Sequence, residues 1–583
     1  MTVRDPGYDP RTPSSRSMAH PLTPPPGPGP RRWLGPAIVA AAVLVVLAVA
    51  VALGSGALSG TPAPTGGVGV VGSPTPAVGG GASASAPVPT DRPSSSAGPG
   101  DSPAPSPSPP PPAADAQLAV APVVPFRSPR SATKRADVTG IASGDSPFGA
   151  LVLVARDAEG ILDELGLDRA GLGKKLVTVR SAARLAANLS SHPNRIGFLR
   201  ADEVGPSVRA VTWGGKALFG TDRVRSLADW PLVATVPAPA ADAPTYDPAA
   251  AWTLFAGGDI LLDRGVALAI RAHDKDFPFD GGTAEITGLC KDCSPMGWDT
   301  PYTRRTGHAG AVRDLISGAD LAIANFENPA PNQFSFHDHG TTFSANPAYI
   351  GGLADAGLDW VSLANNHIGD QGTTGVVQTM RNLDKQGIKH GGAGHDFAEA
   401  HEATLMKVGD VTVGMLGYDA IRPDSNATAD SPGSALITKP NLKRDIRAAR
   451  KAGADVVIVF PHWGIEYRAD PVESQQRLAH AAIDAGADMV IGNHPHWAEG
   501  MEVYEGKPIW YGLGNFVFDQ TWSNYTMEGI TLELTFRGSD LVQARIRPHV
   551  ILDKAQANFL DPAGSGKFVM DQVFNASEGR LPW

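Results

Sequence analysis

Cysteine is scarce in this sequence, which contains Cys290 and Cys293 and no others among 583 residues. Two cysteines cannot complete a four-ligand zinc site, and no second half of such a site follows them. We expect a local disulfide, because the residues that follow Leu53 are predicted to lie outside the cytoplasm. Free thiols and half of a zinc site are the alternatives, and none of the three makes these cysteines catalytic.

An excess of basic residues is also missing. Lysine and arginine total 49 against 59 aspartates and glutamates, which gives a formal net charge of -10. Proteins that bind nucleic acid usually carry a basic stripe or patch that neutralises phosphates, so we expect no nucleic-acid partner. The phosphate-binding motif G-x-x-x-x-G-K-[S/T] does not occur either, and ATP-driven bond formation is therefore expected from another protein.

Long hydrophobic runs are absent except for one, from Trp33 to Leu53. About 20 uncharged residues are enough to cross the membrane as a helix, and we predict a transmembrane helix over 33–54. Arginines precede this run and none follow closely, so residues 1–32 are predicted to be cytoplasmic and the rest of the chain extracytoplasmic. We also predict that this cytoplasmic tail is disordered. This places the protein in the plasma membrane as a single-pass protein; a cleaved signal peptide is the alternative.

Composition divides the remaining chain. Residues 55–116 are rich in Pro, Ser, Gly and Ala and predict a disordered linker. Apolar runs and helical patterns in residues 117–245 predict a small α/β domain of unknown role. Alternating strand and helix patterns over residues 250–552 predict a layered α/β fold, and residues 553–583 form a C-terminal extension.

Polar side chains recur where the predicted strands of this larger domain end. Strand ends in an α/β sheet converge on one crevice, so we expect these side chains to lie together. Carboxylate, imidazole and amide oxygen are ligands for one or two divalent ions such as Mn, Fe, Zn or Mg, which activate water and clamp a phosphoryl group. The residues concerned are Asp259, Asn325, Glu327, Asn365, Asn366, His367, His462, His494 and His496.

Six motifs in a fixed order make the pattern specific. They are GGDILLDR, NFENP, LANNHIGDQG, FPHWGIEY, GNHPHW and YGLGNFVFD. In this order they resemble the CapA-type poly-γ-glutamate capsule-synthesis family, which belongs to the calcineurin-like metallophosphatase superfamily. The resemblance covers about half the chain and implies a calcineurin-like sandwich.

The resemblance also implies roles for individual residues. We predict His367 and Asp370 as catalytic residues and Asn325, Asn365 and Asn515 as substrate-binding residues. The predicted metal ligands are Asp259, Glu327, Asn366, His462, His494 and His496. Two departures weaken the expectation for one of two ions: Leu261 stands where a binuclear phosphatase has histidine, and a glutamate replaces the bridging aspartate.

Two functions follow as expectations. The first is a membrane-anchored protein of capsule or poly-γ-glutamate biosynthesis or export with a metal-dependent hydrolase-like site, acting on a phosphoester or an anionic envelope polymer. The alternative is a non-catalytic accessory that binds polymer for a membrane-bound polymer synthase. A solute receptor built on residues 117–245 has little support.

Several conspicuous residues are predicted to be structural or are left open. We expect His337 and His339 in a solvated loop, and Asp263 and Arg264 either capping a helix or holding an anion. Three tryptophans are expected to pack in the core rather than stack on substrate. They are Trp463, Trp497 and Trp510.

Overall fold

The computed structural model describes residues 115–240, 243 and 245–583. The predicted cytoplasmic tail, transmembrane helix and nearly all of the predicted linker lie outside these residues. In the described part of the chain, no helix is both long and apolar enough to span a bilayer. The described residues fall within one compact unit, Pro107–Trp583.

The first part of this unit, here the N-terminal domain, is a mixed sheet flanked by helices. Its strand order is β4-β3-β5-β1-β6, and β8 pairs with β1. The run Ala150–Val154 is buried throughout because β3 lies inside the sheet, parallel to both neighbours. The elements are β1 (Asp115–Pro125), β2 (Ala132–Thr133), α1 (Arg135–Ser143), β3 (Ala150–Val154), α2 (Ala158–Leu165), α3 (Arg169–Leu172), β4 (Leu176–Val179), α4 (Ala182–Ser190), β5 (Arg195–Arg200), β6 (Val208–Ala210), β7 (Thr212–Trp213) and β8 (Val233–Pro237).

The second part, here the C-terminal domain, contains the predicted site. Its strands are β9 (Trp252–Ile260), β10 (Thr283–Cys290), β11 (Thr300–Gly307), β12 (Leu321–Phe326), β13 (Trp360–Ser362), β14 (Lys389–Gly391), β15 (Ala393–Gly394), β16 (Thr404–Val408), β17 (Val411–Asp419), β18 (Gly433–Ser434), β19 (Val456–His462), β20 (Met489–Ile491), β21 (Met501–Tyr504), β22 (Lys507–Trp510), β23 (Asn515–Val517), β24 (Glu528–Arg537), β25 (Asp540–Leu552) and β26 (Gln556–Phe559). Its helices are α5 (Arg264–Ala272), α6 (Ala311–Gly318), α7 (Ile350–Ala356), α8 (Gly372–Lys385), α9 (Phe397–Ala400), α10 (Lys439–Lys451), α11 (Glu473–Asp484), α12 (Asn524–Met527) and α13 (Lys567–Ala576).

Two sheets of the C-terminal domain pack face to face. The larger has the order β11-β10-β26-β25-β24-β9-β12-β13-β14 with β23 beside β9, and the smaller has the order β16-β17-β19-β20-β22-β21. Side chains of alternate residues, such as Leu254 and Ile458, form the core between the sheets. Phe255, one residue on from Leu254, instead faces the core under α5 to α8. A further core lies under α10 and α11, so the predicted layered α/β fold is confirmed.

The central strands of both sheets are parallel, and their carboxyl ends lie at one edge. β9 pairs with β12 and β12 with β13 in one sheet, while β17, β19 and β20 pair in the other. At this edge β23 runs so close to β9 that a Cβ on Gly258 would stand 1.9 Å from the carbonyl oxygen of Gly514. The glycine before Asp259 is therefore required by the close backbone approach.

Two segments left uncharacterised by sequence have defined structure. Residues 283–307 form the antiparallel hairpin of β10 and β11, and the predicted disulfide between Cys290 and Cys293 is present at its tip. The C-terminal extension is part of the domain: β26 pairs with β25, and α13 places Val569 and Val573 in the core between the sheets.

The N-terminal domain is docked on the outer face of β24 and β25. The buried carboxylate of Glu533 accepts a hydrogen bond from the backbone N–H of Thr221 at 2.8 Å and pairs with Arg547 at 2.6 Å. Gln543 accepts from the backbone N–H of Ala210 at 2.8 Å. Val542 lies in the core of the N-terminal domain. Removing that domain would expose this apolar contact and leave buried polar groups unpaired.

Glu533→Gln tests this interface. Burial alone would raise the pKa of Glu533, but the guanidinium groups of Arg547 and Arg545 outweigh it and hold the pKa at about 2. A depressed carboxyl pKa contributes stability above the unfolded value of 4.5 that is lost as pH falls towards 2. We expect the substitution to lower the free energy of unfolding by about 3 kcal/mol at pH 7 and to flatten the acid limb of the stability curve.

Urea unfolding between pH 2 and pH 7 measures both effects. Glu473→Gln on α11 is the control, because its pair with Arg477 is exposed and should leave the curve unchanged. Equal acid sensitivity in the wild type and Glu533→Gln would contradict the assignment.

Candidate metal centre

Carboxylates and imidazoles from both sheets meet at the shared edge. Asp259 lies near the end of β9, and Glu327 directly follows β12. His462 is the last residue of β19, and His494 and His496 follow β20. All five side chains are buried. The sequence predicted that polar residues at the strand ends would lie together, and these five do.

These side chains form two clusters that share one carboxyl group. Glu327, His462 and His494 make the first, and Asp259, Glu327 and His496 make the second. Within each cluster the candidate ligand atoms lie within 4.8 Å of one another. Glu327 Oε1 stands 3.7 Å from His462 Nε2 and 3.9 Å from His496 Nε2. Glu327 therefore lies between two sets of ligands.

The protonation states of His462 and His494 suit a cation. Burial, together with the neighbouring imidazoles, lowers the pKa of His462 well below its usual value, and burial lowers that of His494 to about 3. Both imidazoles are therefore neutral and keep a lone pair at neutral pH. Burial and the charge of Asp259 raise the pKa of Glu327 well above its usual range.

One atom shows that these residues fit a divalent ion. The buried oxygen Oε1 of Glu327 has no hydrogen-bond partner among the described residues. An unpartnered buried carboxylate oxygen is costly, and an ion between Glu327 and the imidazoles would satisfy it. Mixed oxygen and nitrogen ligands suit Mn, Fe or Zn, and Mg less well. A bound divalent ion would supply Lewis-acid polarisation of a substrate oxygen.

The three predicted substrate-binding asparagines form hydrogen bonds around the candidate ligands. Asn325 donates to Asp259 at 2.8 Å and to Glu327 at 3.3 Å. Asn365 donates to Asn325 at 3.2 Å and accepts from two backbone N–H groups of its own loop. All three amides are buried and bonded within the protein. They orient the side chains that would bind the ion.

Asn515 fixes the orientation of His496. Its Nδ2 donates to the carbonyl oxygen of Thr526 at 3.0 Å, so its Oδ1 accepts from His496 Nδ1 at 2.9 Å. The imidazole then keeps its lone pair on Nε2, the atom near Glu327. His549 donates to the backbone carbonyl of Asn515 at 2.8 Å and supports it from β25.

The predicted ligand Asn366 and the predicted catalytic pair lie on the open side of the clusters. Asn366 Oδ1 is 2.7 Å from His462 Nε2. His367 Nδ1 is 2.8 Å from Asp370 Oδ2, and the ring of His367 stacks on Phe343. The side chain of His367 is 13% exposed and that of Asp370 is 4% exposed. Asp370 thus orients an imidazole that solvent can reach.

The loop after β20 carries backbone strain. His494 has φ of 100° and His496 has φ of 59°, a region that L-residues rarely adopt. Such residues cost about 1–3 kcal/mol each and persist where the surrounding structure holds them, often at functional sites. Here Asp259 accepts from the backbone N–H of His494 at 3.3 Å.

The residues that the sequence left open now have positions. Leu261 packs in an apolar cluster with Phe343, Phe518 and Ile551, away from any ligand role. Asp263 caps α5 by accepting from the backbone N–H of Arg264 at 2.8 Å, and Arg264 pairs with Asp519.

The expected packing of Trp463 and Trp510 in the core is confirmed, because both are fully buried. Trp497 is half-buried and stacks on Tyr525. The side chain of His339 is 91% exposed, as expected for a solvated loop, whereas His337 is 3.4 Å from Asp263.

One residue beside this site was missed by sequence reasoning. Arg422 donates from Nη1 to Asp370 Oδ1 at 2.7 Å and to the backbone carbonyl of Asn366 at 3.2 Å. It lies in a loop after β17 that carries none of the six motifs. No signal in a single sequence connects it to residues more than 50 positions away.

Comparisons with known proteins match the C-terminal domain to one family. A model of the family described as "Bacterial capsule synthesis protein PGA_cap" matches residues 253–520. The "PGA biosynthesis protein CapA" of Bacillus subtilis is 35% identical over 215 residues, covering 36% of this chain and 57% of that protein. A "Probable polyglutamine synthesis accessory protein" of Mycobacterium tuberculosis is 30% identical over 328 residues, covering 53% of this chain and 82% of that one. The chain belongs to the CapA-type family.

The matched range of the CapA-type family contains every predicted ligand and excludes the N-terminal domain. This chain spans 57% of the length of the B. subtilis relative. Among solved structures, a 5'-nucleotidase precursor of Thermus thermophilus aligns with 56% of this chain and 58% of that one, at 14% identity and a TM-score of 0.31. That TM-score is too low to support a functional comparison.

Metal content is the first test of the centre. Full-length protein purified with Mn²⁺ should hold one or two ions per chain, and His494→Ala with His496→Ala should leave less than about 0.1, because each cluster loses an imidazole. Elemental analysis gives the counts. His339→Ala removes an exposed histidine outside both clusters and should retain the wild-type count. Equal metal in the wild type and the double variant would contradict the site.

Asn515→Ala tests the orientation of His496. Without the acceptor at Nδ1, the imidazole can turn or change tautomer, and we expect metal affinity to fall roughly 10- to 100-fold. Competition with a chelator of known affinity measures this loss. Asn441→Ala on α10 is a matched control away from the centre, since its amide donates to the backbone carbonyl of Leu436. An unchanged affinity in Asn515→Ala would show that His496 needs no such support.

Proposed function

We propose that this CapA-type protein is anchored in the plasma membrane and acts outside the cytoplasm in capsule or poly-γ-glutamate biosynthesis or export. We further propose that its two ligand clusters hold metal for a hydrolase-like reaction on a phosphoester or an anionic envelope polymer. The observation that carries the proposal is the buried carboxyl group of Glu327 shared by both clusters, with the His367–Asp370 pair beside them.

The residues around the clusters suit acid–base work at one oxygen. Asp370 accepts from His367 Nδ1, so that in the protonated ring Nε2 is the atom left to donate a proton to a leaving oxygen. Asp370 also stabilises the imidazolium, as a carboxylate does for a catalytic histidine elsewhere. The buried asparagines keep Asp259 and Glu327 in place while charge changes on the substrate.

Membrane anchoring rests on sequence. The uncharged run Trp33–Leu53 follows several arginines and predicts a helix with a cytoplasmic N-terminus. The disulfide between Cys290 and Cys293 supports an extracytoplasmic location, because disulfides persist in oxidising compartments. A membrane-bound polymer synthase is then a natural partner for the anchored domain.

A second function has one specific observation in its favour. Leu261 packs in an apolar cluster at the position where the family resemblance implies a histidine ligand, so that imidazole is missing here. The M. tuberculosis relative is described as an accessory protein of synthesis. In a non-catalytic protein that binds an anionic polymer for the synthase, the positive charge of the metal would serve only to attract the polymer.

Turnover by metal-loaded protein separates the two functions. We expect the full-length protein to hydrolyse a phosphoester such as phenyl phosphate, and His367→Ala to lower kcat roughly 100- to 1000-fold with metal content retained, because a proton donor is lost. His339→Ala is the control and should keep wild-type kcat. Loaded protein that releases no phosphate, yet retains γ-linked polyglutamate in a pull-down, would favour the accessory function.

A further inference from the structure

Arg422 presents positive charge at the mouth of the metal centre. Its side chain is 43% exposed, whereas Asp370, to which it is bonded, is 4% exposed. The guanidinium of Arg422 makes two hydrogen bonds to the described residues, and both use Nη1. One goes to Asp370 and the other to the backbone carbonyl of Asn366. The Nε and Nη2 edge of the guanidinium makes no hydrogen bond to the described residues. That edge is a fork of donors suited to two oxygens of one oxyanion.

The same contacts place the guanidinium next to the reacting groups. The two carboxylate oxygens of Asp370 hold Arg422 on one side and His367 on the other. The side chain of Asn366 lies 2.7 Å from His462, while its backbone carbonyl holds Arg422. Exposure increases from the buried ligands through His367 to Arg422, so a substrate that reaches the ligands from this side passes the guanidinium.

The loop that carries Arg422 is built into the edge of the sheet. Asp419 ends β17 beside His462 and accepts from the backbone N–H of Ile421 at 2.8 Å. A Cβ on Gly369 would stand 2.4 Å from Ser425 Oγ, which shows how closely this loop lies against the loop of His367. The position of Arg422 is therefore fixed by contacts on both sides.

The buried carboxyl groups of the site offer an anion no hydrogen-bond donor. Asp259 and Glu327 are both buried among the candidate metal ligands, so an oxyanion away from the reacting group needs a donor outside the two clusters. Arg264 also lies near the ligands, but it is committed to Asp519 and to the backbone carbonyl of Gly340. Its side chain is 10% exposed.

We propose that Arg422 binds an oxyanion of the substrate that is not the reacting group, through its Nε and Nη2 donors. The ligand chemistry is a carboxylate or a second phosphate carried next to the bond that breaks. This deepens the proposed function and rests on it for the reaction, but binding of the oxyanion can be measured without turnover. Arg422 then selects polyanionic substrates over simple esters.

Two substrates and two substitutions test the proposal in the full-length, metal-loaded protein. Phenyl phosphate carries the reacting group alone, and 4-carboxyphenyl phosphate adds a carboxylate. We expect Arg422→Gln to raise KM for the carboxylated ester roughly 10- to 100-fold relative to its effect on KM for phenyl phosphate, the loss expected for a charge-assisted bidentate contact. Arg422→Lys keeps the charge without the forked donors, and its KM for the carboxylated ester should lie between those of the wild type and Arg422→Gln.

Calorimetric titration with a γ-linked glutamate oligomer and with inorganic pyrophosphate identifies the source of the oxyanion. A loss of affinity in Arg422→Gln for the oligomer alone assigns the site to carboxylates, and a loss for pyrophosphate alone assigns it to a second phosphate. If no ester is hydrolysed but oligomer binding still depends on Arg422, the hydrolase function fails while the binding site stands.

Two results would overturn the proposal. Equal KM and equal affinity in the wild type and Arg422→Gln would show that the guanidinium meets no substrate. A fall in kcat for both esters with KM unchanged would make Arg422 a residue that positions Asp370 and His367. Arg477→Gln on α11 is the matched control, since it removes an exposed, ion-paired arginine on an outer helix and should alter neither constant.

Discussion

The burial of Glu327 is the constraint on which the rest of the site depends. A buried carboxylate is stable only if its charge is paired or hydrogen-bonded. In this structure imidazoles and an amide surround Glu327. Asp259 beside it makes the demand for a cation greater. The neutral imidazoles of His462 and His494 supply lone pairs rather than positive charge, so the cluster suits a bound ion better than an internal salt bridge.

The sandwich makes this arrangement possible because each sheet provides part of the ligand set. Glu327 and Asp259 lie at the ends of strands of the larger sheet, and His462 and His494 lie at the ends of strands of the smaller one. Neither sheet alone completes a cluster. Packing between the sheets therefore fixes the distances between ligands, and Trp360 and Phe460 contact each other edge to face in the core between them.

The candidate ligands could be predicted from the sequence because strand ends are visible as apolar runs followed by polar residues. The contacts of Asn325 with Asp259 and Glu327 could not, since spacing does not reveal which way an amide faces. Arg422 lay outside any pattern. The charged residues of β24 and β25, such as Glu533 and Arg547, alternate in a way typical of a solvent-facing strand, yet the N-terminal domain covers them. Contacts between distant segments decide all three cases.

The order of strands in the larger sheet has a consequence for how the protein reaches its folded state. β24 lies beside β9 and β25 beside β24, although nearly 300 residues separate β9 from the end of β25, and Phe126 packs edge to face on Trp583 at 5.2 Å. Contacts this distant in sequence form slowly. The core between the two sheets cannot close until the C-terminal segment has been synthesised, so the chain must be kept from aggregating while β9 still lacks its neighbour β24.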